Sequence, residues 1–241
     1  MAQDAADFFH HCPPVIWFAD GSSLEGNQYA ELRSLYPHYD AAKIQVWDWA
    51  GVDLRKESQS PERDQASIQA RVIRELKTKD YAIIMDDDGK GELADVVAVR
   101  LTGDPAEPSS IDVEFYHCKY SHDSAPGRRI EDLYEVCGQA QKSVAWASSP
   151  EKRSDIFTRL MRRETQRRDA GAATRFETGD GELLLTIREM SRLLPVNLSI
   201  YIVQPGASQA NVTDDQLALM SVTEHYLSET YQLRFGVIAS R

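Results

Sequence analysis

The chain has 241 residues, of which 42% are hydrophobic and 27% are charged, as in a globular protein with a buried core. Its formal net charge of −11 excludes a surface that is basic throughout, although a local basic groove remains compatible with it. The cysteines Cys12, Cys118 and Cys137 lack metal-ligand spacing and are odd in number, so neither a zinc site nor a disulfide framework is expected. There is no signal peptide and no long apolar run, so we expect a cytoplasmic protein without a membrane partner.

The N-terminal quarter of the chain is rich in aromatic residues. We predict that residues 1–63 form an extension that packs on a core made of residues 64–241. Trp17, Trp47 and Trp49 are expected to lie in the hydrophobic core, since large aromatic side chains usually do. The alternative for these tryptophans is a surface for interaction with a partner.

From Asp64 onward, helical and strand-like segments alternate. Asp64 is a candidate N-cap for a helix whose apolar residues Ile68, Val72 and Leu76 are spaced by four. The later segments are the strand YAIIM, the turn DDDGKG, the strands LADVVAVRL and SIDVEFYHCKYS, the helix RIEDLYEVCGQAQKSVAWA, a helical stretch over 150–170, a turn-like stretch over 171–182, the strand LSIYIVQPG, the helix TDDQLALMSVTEHYLSETY and the strand RFGVIAS. This alternation predicts an α/β fold with a mixed central sheet flanked by helices.

Three ionisable residues interrupt the apolar rows of the two central strands. Asp95 begins the row of alternate residues in LADVVAVRL, while His117 and Lys119 end the corresponding row in SIDVEFYHCKYS. If these strands form an antiparallel hairpin, the start of one lies beside the end of the other, and the three side chains meet. A buried charge is costly unless it is paired, so a site is indicated. The alternative for Asp95 is a residue that only ends a turn.

Two helical residues are further candidates for this site. Glu75 lies seven residues after Ile68 and three after Val72, on the apolar stripe of its helix. It either meets a cation or a metal, or reaches water at the edge of the stripe. Gln141 lies within the apolar stripe of the later helix, where it is either a satisfied core amide or a ligand for a phosphate or a metal-bound water.

The order and facing of these residues resemble the PD-(D/E)XK nuclease superfamily, most closely its Mrr-like restriction endonuclease branch. That family has a helix with a glutamate, a strand, a hairpin with an aspartate and an acid-X-lysine or glutamine-X-lysine, and a helix that often carries a glutamine. GELADVVAV is similar to the aspartate strand, FYHCK to the lysine strand, SIQARVIRE to the first helix and VCGQAQ to the later helix. The resemblance covers roughly residues 64–146 and implies a restriction-endonuclease-like core.

The resemblance implies metal-dependent hydrolysis of phosphodiester bonds in nucleic acid, with DNA as the expected substrate of an endonuclease. Glu75, Asp95 and His117 would hold Mg²⁺ or Mn²⁺. Asp95 and His117 would also take part in catalysis. Lys119 and Gln141 would complete the catalytic set.

Residue 117 departs from the family pattern, because a histidine stands where an acid or a glutamine is usual. Magnesium prefers oxygen ligands, whereas an imidazole suits a softer metal such as manganese. Asp88 and Glu92 offer further carboxylates that could complete the metal shell. The same departure supports an alternative function, a catalytically inactive nuclease-fold module that docks nucleic acid or protein.

Residues 151–169 carry seven lysines or arginines against four acids in an otherwise acidic chain. Such a helix either binds phosphates or is a solvated face with internal ion pairs. A pair of arginines near the start of the preceding helix also favours an anionic partner, because cations there oppose the helix dipole. The candidate nucleic-acid-binding residues are Arg128, Arg129, Arg159, Arg162 and Arg163.

The whole chain also resembles a module at the C-terminal ends of bacterial DEAD/DEAH-box helicase-like proteins. The segments that carry this resemblance are IQVWDW, DDDGKGELADVV, YHCKYS, DLYEVCGQAQKSV and IVQPG. It implies a helicase or another ATPase motor as a partner, and a role in bacterial defence or DNA processing. The sequence leaves the oligomeric state open, with a homodimer as one option.

Overall fold

The structure of the chain is a computed structural model that describes residues 5–11, 13–18, 22–30, 38–60, 62–104 and 106–241. The chain divides into two compact units, Met1–Pro37 and His38–Arg241. The described part of the first unit contains a helix, α1 (Ala5–His11), and an antiparallel sheet of β1 (Val15–Trp17), β2 (Ser23–Glu25) and β3 (Gln28–Ala30). Trp17 in this unit is 70% exposed. The prediction that it lies in a hydrophobic core is therefore wrong.

The second unit is built on a mixed sheet, which in its described residues has seven strands. These are β4 (Gln45–Val46), β5 (Ile83–Asp86), β6 (Val96–Asp104), β7 (Glu107–Cys118), β8 (Phe176–Thr178), β9 (Val196–Ser208) and β10 (Arg234–Ser240). Their order across the sheet is β4-β10-β9-β7-β6-β5-β8. The pairs β7–β9, β9–β10 and β10–β4 are parallel and the others antiparallel, which confirms the predicted mixed central sheet.

Helices cover both faces of this sheet, and each face has its own hydrophobic core. The helices of this unit are α2 (Ile68–Leu76), α3 (Glu131–Lys142), α4 (Pro150–Asp169), α5 (Gly181–Met190) and α6 (Asp214–Tyr231). The larger core joins α3, α4, α5 and α6 to one face, while the smaller core joins α2 to the other. None of the helices that the structure describes combines the length and the apolar character needed to cross a lipid bilayer.

The segment of residues 38–63, which the sequence analysis assigns to the N-terminal extension, belongs to the second unit. Its strand β4 pairs with β10, and the indole N–H of Trp49 donates a hydrogen bond of 3.2 Å to the carbonyl of Ala239. Trp49 is buried in the smaller core, whereas Trp47 is half-buried and stacks against it. Two of the three tryptophans therefore pack on the core as predicted.

Local chemistry explains where α2 begins. The hydroxyl of Ser67 accepts a hydrogen bond of 3.1 Å from the backbone N–H of Ala70, so the N-cap is Ser67 and not Asp64. Asp64 instead forms an ion pair of 2.7 Å with Lys56. Ile68 and Val72 are then completely buried against the sheet, as their spacing predicts.

Candidate functional site

Asp95 and Lys119 occupy the open end of the β6–β7 hairpin. Asp95 immediately precedes β6 and Lys119 immediately follows β7, and antiparallel pairing brings these two ends together. The Oδ2 atom of Asp95 accepts a hydrogen bond of 2.8 Å from the backbone N–H of Cys118. Asp95 is 3% exposed and Lys119 is 9% exposed. The carboxylate therefore contacts the peptide group next to the lysine residue.

Three carboxylates converge beside this end of the hairpin. Asp88, Glu92 and Asp95 each place an oxygen atom within 4.8 Å of the others, and we call them the acidic cluster. The hydroxyl of Ser58 donates to Asp88, and the backbone N–H of Gly89 donates to Glu92 over 2.7 Å. None of the three carboxylates has a lysine or arginine ion-pair partner among the residues that the structure describes.

The loop that carries Asp88 and Glu92 is held by arginines from α4. Gly91 has a φ of +82°, in the left-handed region that favours glycine, and a Cβ atom there would lie 2.7 Å from the guanidinium of Arg159. Arg159 donates a hydrogen bond of 2.7 Å to the carbonyl of Gly91, and Arg163 donates one of 2.8 Å to the carbonyl of Lys90. Helix α4 therefore fixes the shape of the loop.

Lys119 is bound by two glutamates from different elements. Its Nζ atom lies 2.9 Å from Glu135 on α3 and 3.2 Å from Glu57 in the loop before α2. Glu57 also accepts a hydrogen bond of 3.2 Å from the backbone N–H of Tyr120. Burial alone would lower the pKa of Lys119, but Glu135 and Glu57 more than offset it and raise that pKa. The lysine is consequently a cation at neutral pH.

The electrostatics of the acidic cluster favour a bound cation. Burial raises the pKa of Asp95 well above its ordinary value, and the charges of Glu92, Glu57 and Asp88 add to the rise against the hydrogen bond from Cys118. Burial raises the pKa of Glu92 in the same direction. Carboxylate oxygens are the ligands that Mg²⁺ and Mn²⁺ prefer. The donor set thus fits a hard divalent ion, which would relieve the mutual repulsion.

His117 lies on the same row as Asp95 but is bound to Ser143, the C-cap residue of α3. Its Nε2 atom forms a hydrogen bond of 2.8 Å with the hydroxyl of Ser143, and its Nδ1 atom has no hydrogen-bond partner among the described residues. Burial lowers the pKa of His117 to about 3, so the imidazole is neutral at physiological pH. His117 does not belong to the acidic cluster, and the structure does not bring it to the three carboxylates as a ligand.

The structure places Gln141 at the interface between α3 and α6. Its amide donates a hydrogen bond of 3.2 Å to the hydroxyl of Thr223, which corresponds to the alternative of a satisfied core amide. Gln139 lies one turn after Glu135, the residue that binds Lys119. The Oε1 atom of Gln139 is buried without a hydrogen-bond partner among the described residues. Gln139 is therefore the amide of α3 nearer to the site along the helix face.

Glu75 does not reach the acidic cluster. Its side chain is 31% exposed and forms an ion pair of 2.9 Å with Arg71, one turn earlier on α2. The polar residue on the buried face of α2 is Gln69, whose amide donates 3.1 Å to the backbone carbonyl of Asp95. Glu75 is therefore half-buried at the edge of the stripe and pairs with a cation of its own helix, so it combines both options that the sequence left open.

The candidate nucleic-acid-binding arginines differ in their surroundings. Arg163 is buried and its guanidinium is occupied by Asp87 and by backbone carbonyls, so it is not free to bind a phosphate on the surface. Arg159 is half-buried against the acidic loop, and Arg162 is exposed. Arg128 and Arg129 are also exposed, with Arg129 3.8 Å from Asp132. For Arg163, internal pairing therefore replaces the predicted nucleic-acid contact.

Sequence reasoning missed several residues that complete the site. Glu57 lies in a polar loop without periodicity, and only the fold brings it to Lys119. Glu135 is exposed on α3, and an exposed carboxylate on a helix does not indicate a functional site. The signal for Gln69 was its position directly after Ile68, the first apolar residue of α2. The structure shows that this position is buried.

Comparison of the chain with protein-family models, with curated proteins and with solved structures gave no match. A function for the chain therefore has to be inferred from the arrangement of its side chains.

Proposed function

We propose that the chain hydrolyses phosphodiester bonds of DNA with a divalent metal ion held by the acidic cluster. The observation that carries this proposal is a group of three converging carboxylates without a lysine or arginine ion-pair partner in the described chain, in which Asp95 is bound to the peptide N–H next to Lys119. Buried carboxylates are costly unless they are paired or coordinate a metal. Asp95 and Lys119 are residues that the family resemblance also implies.

Asp88, Glu92 and Asp95 would hold Mg²⁺ or Mn²⁺ through carboxylate oxygens. A divalent ion in such a site lowers the pKa of a bound water and polarises a phosphoryl oxygen. Asp95 would hold the ion as a carboxylate, and the cation would favour that form against the burial that raises the pKa of Asp95. The hydrogen bond from Cys118 orients this carboxylate.

Lys119 neutralises negative charge on the scissile phosphate. Its compact ammonium group suits a phosphate oxygen, and its raised pKa keeps it protonated. Glu135 is the partner that a phosphate can replace, since its side chain is 60% exposed. Glu57 is anchored by Tyr120 and keeps its hold on the amine, so it sets the direction in which Lys119 points.

The experiment is a cleavage assay on supercoiled plasmid and on single-stranded DNA, with Mg²⁺, Mn²⁺ or a chelator. We expect cleavage only with a divalent metal, and a loss of about 100-fold or more in Asp95→Asn and in Lys119→Met. Glu75→Gln is the matched control, because it removes a carboxylate that lies outside the acidic cluster. Cleavage that persists in chelator, or full activity in both site variants, would contradict the proposal.

One observation favours the second candidate function, a noncatalytic nuclease-fold module that docks nucleic acid or protein. The position where the resemblance implies an acid or a glutamine carries His117, which is buried, neutral and bound to Ser143. Isothermal titration with Mn²⁺ separates the two candidates. Metal binding that depends on Asp95 without any DNA cleavage would favour the docking module.

A further inference from the structure

A polar groove of about 480 Å³ lies on the sheet face that carries α2, on the part that α2 leaves uncovered. The residues that line this groove include Arg100, Asp112, Glu114, Ser199, Tyr201 and Arg234. They come from β6, β7, β9 and β10, so the floor of the groove is the sheet itself. We call it the sheet-face groove.

The strand register places the side chains of the sheet-face groove in rows across the sheet. One row pairs Arg100 with Asp112 on the neighbouring strand. The next row runs from Glu114 through Ser199 to Arg234. Both rows face away from the larger core, because alternate strand residues point to opposite faces. The two arginines therefore stand on either side of a pair of acids.

The two acids in the floor are bound by neutral donors. Glu114 accepts a hydrogen bond of 2.6 Å from the hydroxyl of Tyr81, and a second from Tyr116. Asp112 accepts from the amide of Asn197 over 2.9 Å and from a threonine hydroxyl over 2.6 Å. Neither acid is in an ion pair with an arginine of the groove in the described chain. The guanidinium groups of these arginines are therefore not neutralised by the acids of the groove.

The two arginines lack a carboxylate partner among the described residues. Arg100 donates a hydrogen bond of 3.0 Å to the backbone carbonyl of Asp80, and its guanidinium lies 4.4 Å from the centroid of the Tyr81 ring. Arg234 is exposed. Burial and the charge of Glu114 raise the pKa of Tyr201, and the charges of Arg234 and Arg100 act against that rise. In a chain with a net charge of −11, such a pair of unpaired guanidinium groups indicates an anionic ligand.

An aromatic surface adjoins the arginines. The ring of Tyr201 is half-buried and stacks on Tyr116, with the centroids 4.9 Å apart and the planes 10° from parallel. Gly236 is the neighbour of Tyr201 on β10, and a Cβ atom there would lie 2.6 Å from the tyrosine ring. Because Gly236 has no side chain, the ring of Tyr201 has room to lie beside it on the sheet.

We propose that the sheet-face groove binds a segment of single-stranded nucleic acid, with phosphates at Arg100 and Arg234 and a base against Tyr201. Proteins that bind single-stranded nucleic acid combine basic groups for the phosphates with aromatic rings on which the bases stack. The acceptor oxygens of Asp112 and Glu114 suit base amino groups and sugar hydroxyls. This binding does not rest on the hydrolytic function proposed above.

The test is fluorescence anisotropy with a labelled single-stranded DNA oligonucleotide and the full chain, in chelator so that no cleavage takes place. We expect the double variant Arg100→Ala/Arg234→Ala to bind about tenfold more weakly or worse, with a shallower dependence on salt. Tyr201→Leu should also weaken binding about tenfold, whereas Tyr201→Phe keeps the stacking ring and the affinity. Arg234→Glu tests the charge alone, at an exposed position that does not threaten folding.

Two arginines outside the groove provide the controls. Arg192→Ala removes an exposed arginine that is paired with Glu189, and Arg74→Ala removes an exposed arginine of α2. Wild-type affinity in the double variant and in Arg234→Glu would overturn the inference. An equal loss in either control, or tighter binding of a free mononucleotide or an acidic peptide, would overturn it too. Binding that depends on the groove in a protein without cleavage activity would uphold this inference and reject the hydrolytic function.

Discussion

Two sets of carboxylates from one stretch of sequence, DDDGKGELAD, have opposite surroundings. Asp86 and Asp87 lie beside arginines: Arg163 binds Asp87, and Arg167 lies 3.6 Å from Asp86. The acidic cluster of Asp88, Glu92 and Asp95 has no such partner in the described chain. The buried acids Asp86 and Asp87 stabilise the loop, whereas the buried Asp95 and the half-buried Asp88 and Glu92 repel one another.

The two sets of carboxylates differ in whether a guanidinium group compensates their negative charge. A buried carboxylate with a guanidinium partner already has its charge compensated. Burial and neighbouring carboxylates instead raise the pKa of Asp95, so that a proton or a cation stabilises it. The paired set thus builds the loop, and the unpaired set is the candidate site that the loop presents.

The largest effect is expected from breaking the paired set. Arg163→Met should lower the free energy of unfolding by about 3–5 kcal/mol, because it leaves the carboxylate of Asp87 buried without its partner. Chemical denaturation measures this loss. Arg162→Met is the matched control on the same helix and should change stability by less than about 0.5 kcal/mol, since Arg162 is exposed. Equal effects of the two variants would show that the buried pair is not structural.

A smaller effect is expected from the neutral histidine beside the site. The pKa of His117 is lowered from 6.5 to about 3, so the unfolded chain binds one more proton between these values. Stability is therefore lost as the pH falls below 6.5, by about 2 kcal/mol at pH 5 from this residue. His117→Gln should remove that part of the acid sensitivity in unfolding curves measured at pH 5 and pH 7.5. An unchanged pH dependence would contradict the burial of the imidazole.

The unpaired set should respond to metal and pH together. The folded-state pKa of Asp95 is raised, so its protonated form contributes stability that is lost as the pH rises through that pKa. Mg²⁺ or Mn²⁺ at ten times its dissociation constant at pH 8 should add about 1.4 kcal/mol to the free energy of unfolding, and the same metal concentration should add less at pH 6, where protons compete for Asp95. Thermal unfolding with and without metal measures the effect. Asp95→Asn should abolish this stabilisation by metal. An equal stabilisation in that variant would show that the metal binds at another site.

The smallest effect is expected for the surface carboxylate that the sequence placed near the site. Glu75→Gln should change the free energy of unfolding by about 0.5 kcal/mol or less, because it breaks one partly exposed ion pair with Arg71. It should leave metal binding unchanged in calorimetry. A lower metal affinity in this variant would restore Glu75 as a candidate ligand.

The hairpin was predictable because its alternation of apolar and polar residues is strong. The meeting of Asp95 with the end of β7 follows from antiparallel pairing, and the register confirms that geometry. The basic helix was predictable as a helix, but not the burial of Arg163 under the loop. A run of charges contains no signal for which of its members a distant loop will cover.

Other parts depend on contacts that no local pattern encodes. Residues 171–182 look turn-like, yet they contain β8 (Phe176–Thr178), which exists because it pairs with β5 at the sheet edge. Helix α5 begins at Gly181 after the N-cap Asp180, a start signal that the turn-like composition hides. Glu57 reaches Lys119 only through the loop before α2, so its role required the fold.

The outermost strands of the large sheet, β4 and β8, have two and three residues, whereas the central strand β9 has thirteen. A border this short offers few free backbone groups to a neighbouring chain. Recruitment of a further strand along β4 or β8 themselves is therefore disfavoured. The pairing of β4 covers only Ile238 and Ala239 of β10, so the remaining border of the sheet is formed by the rest of β10.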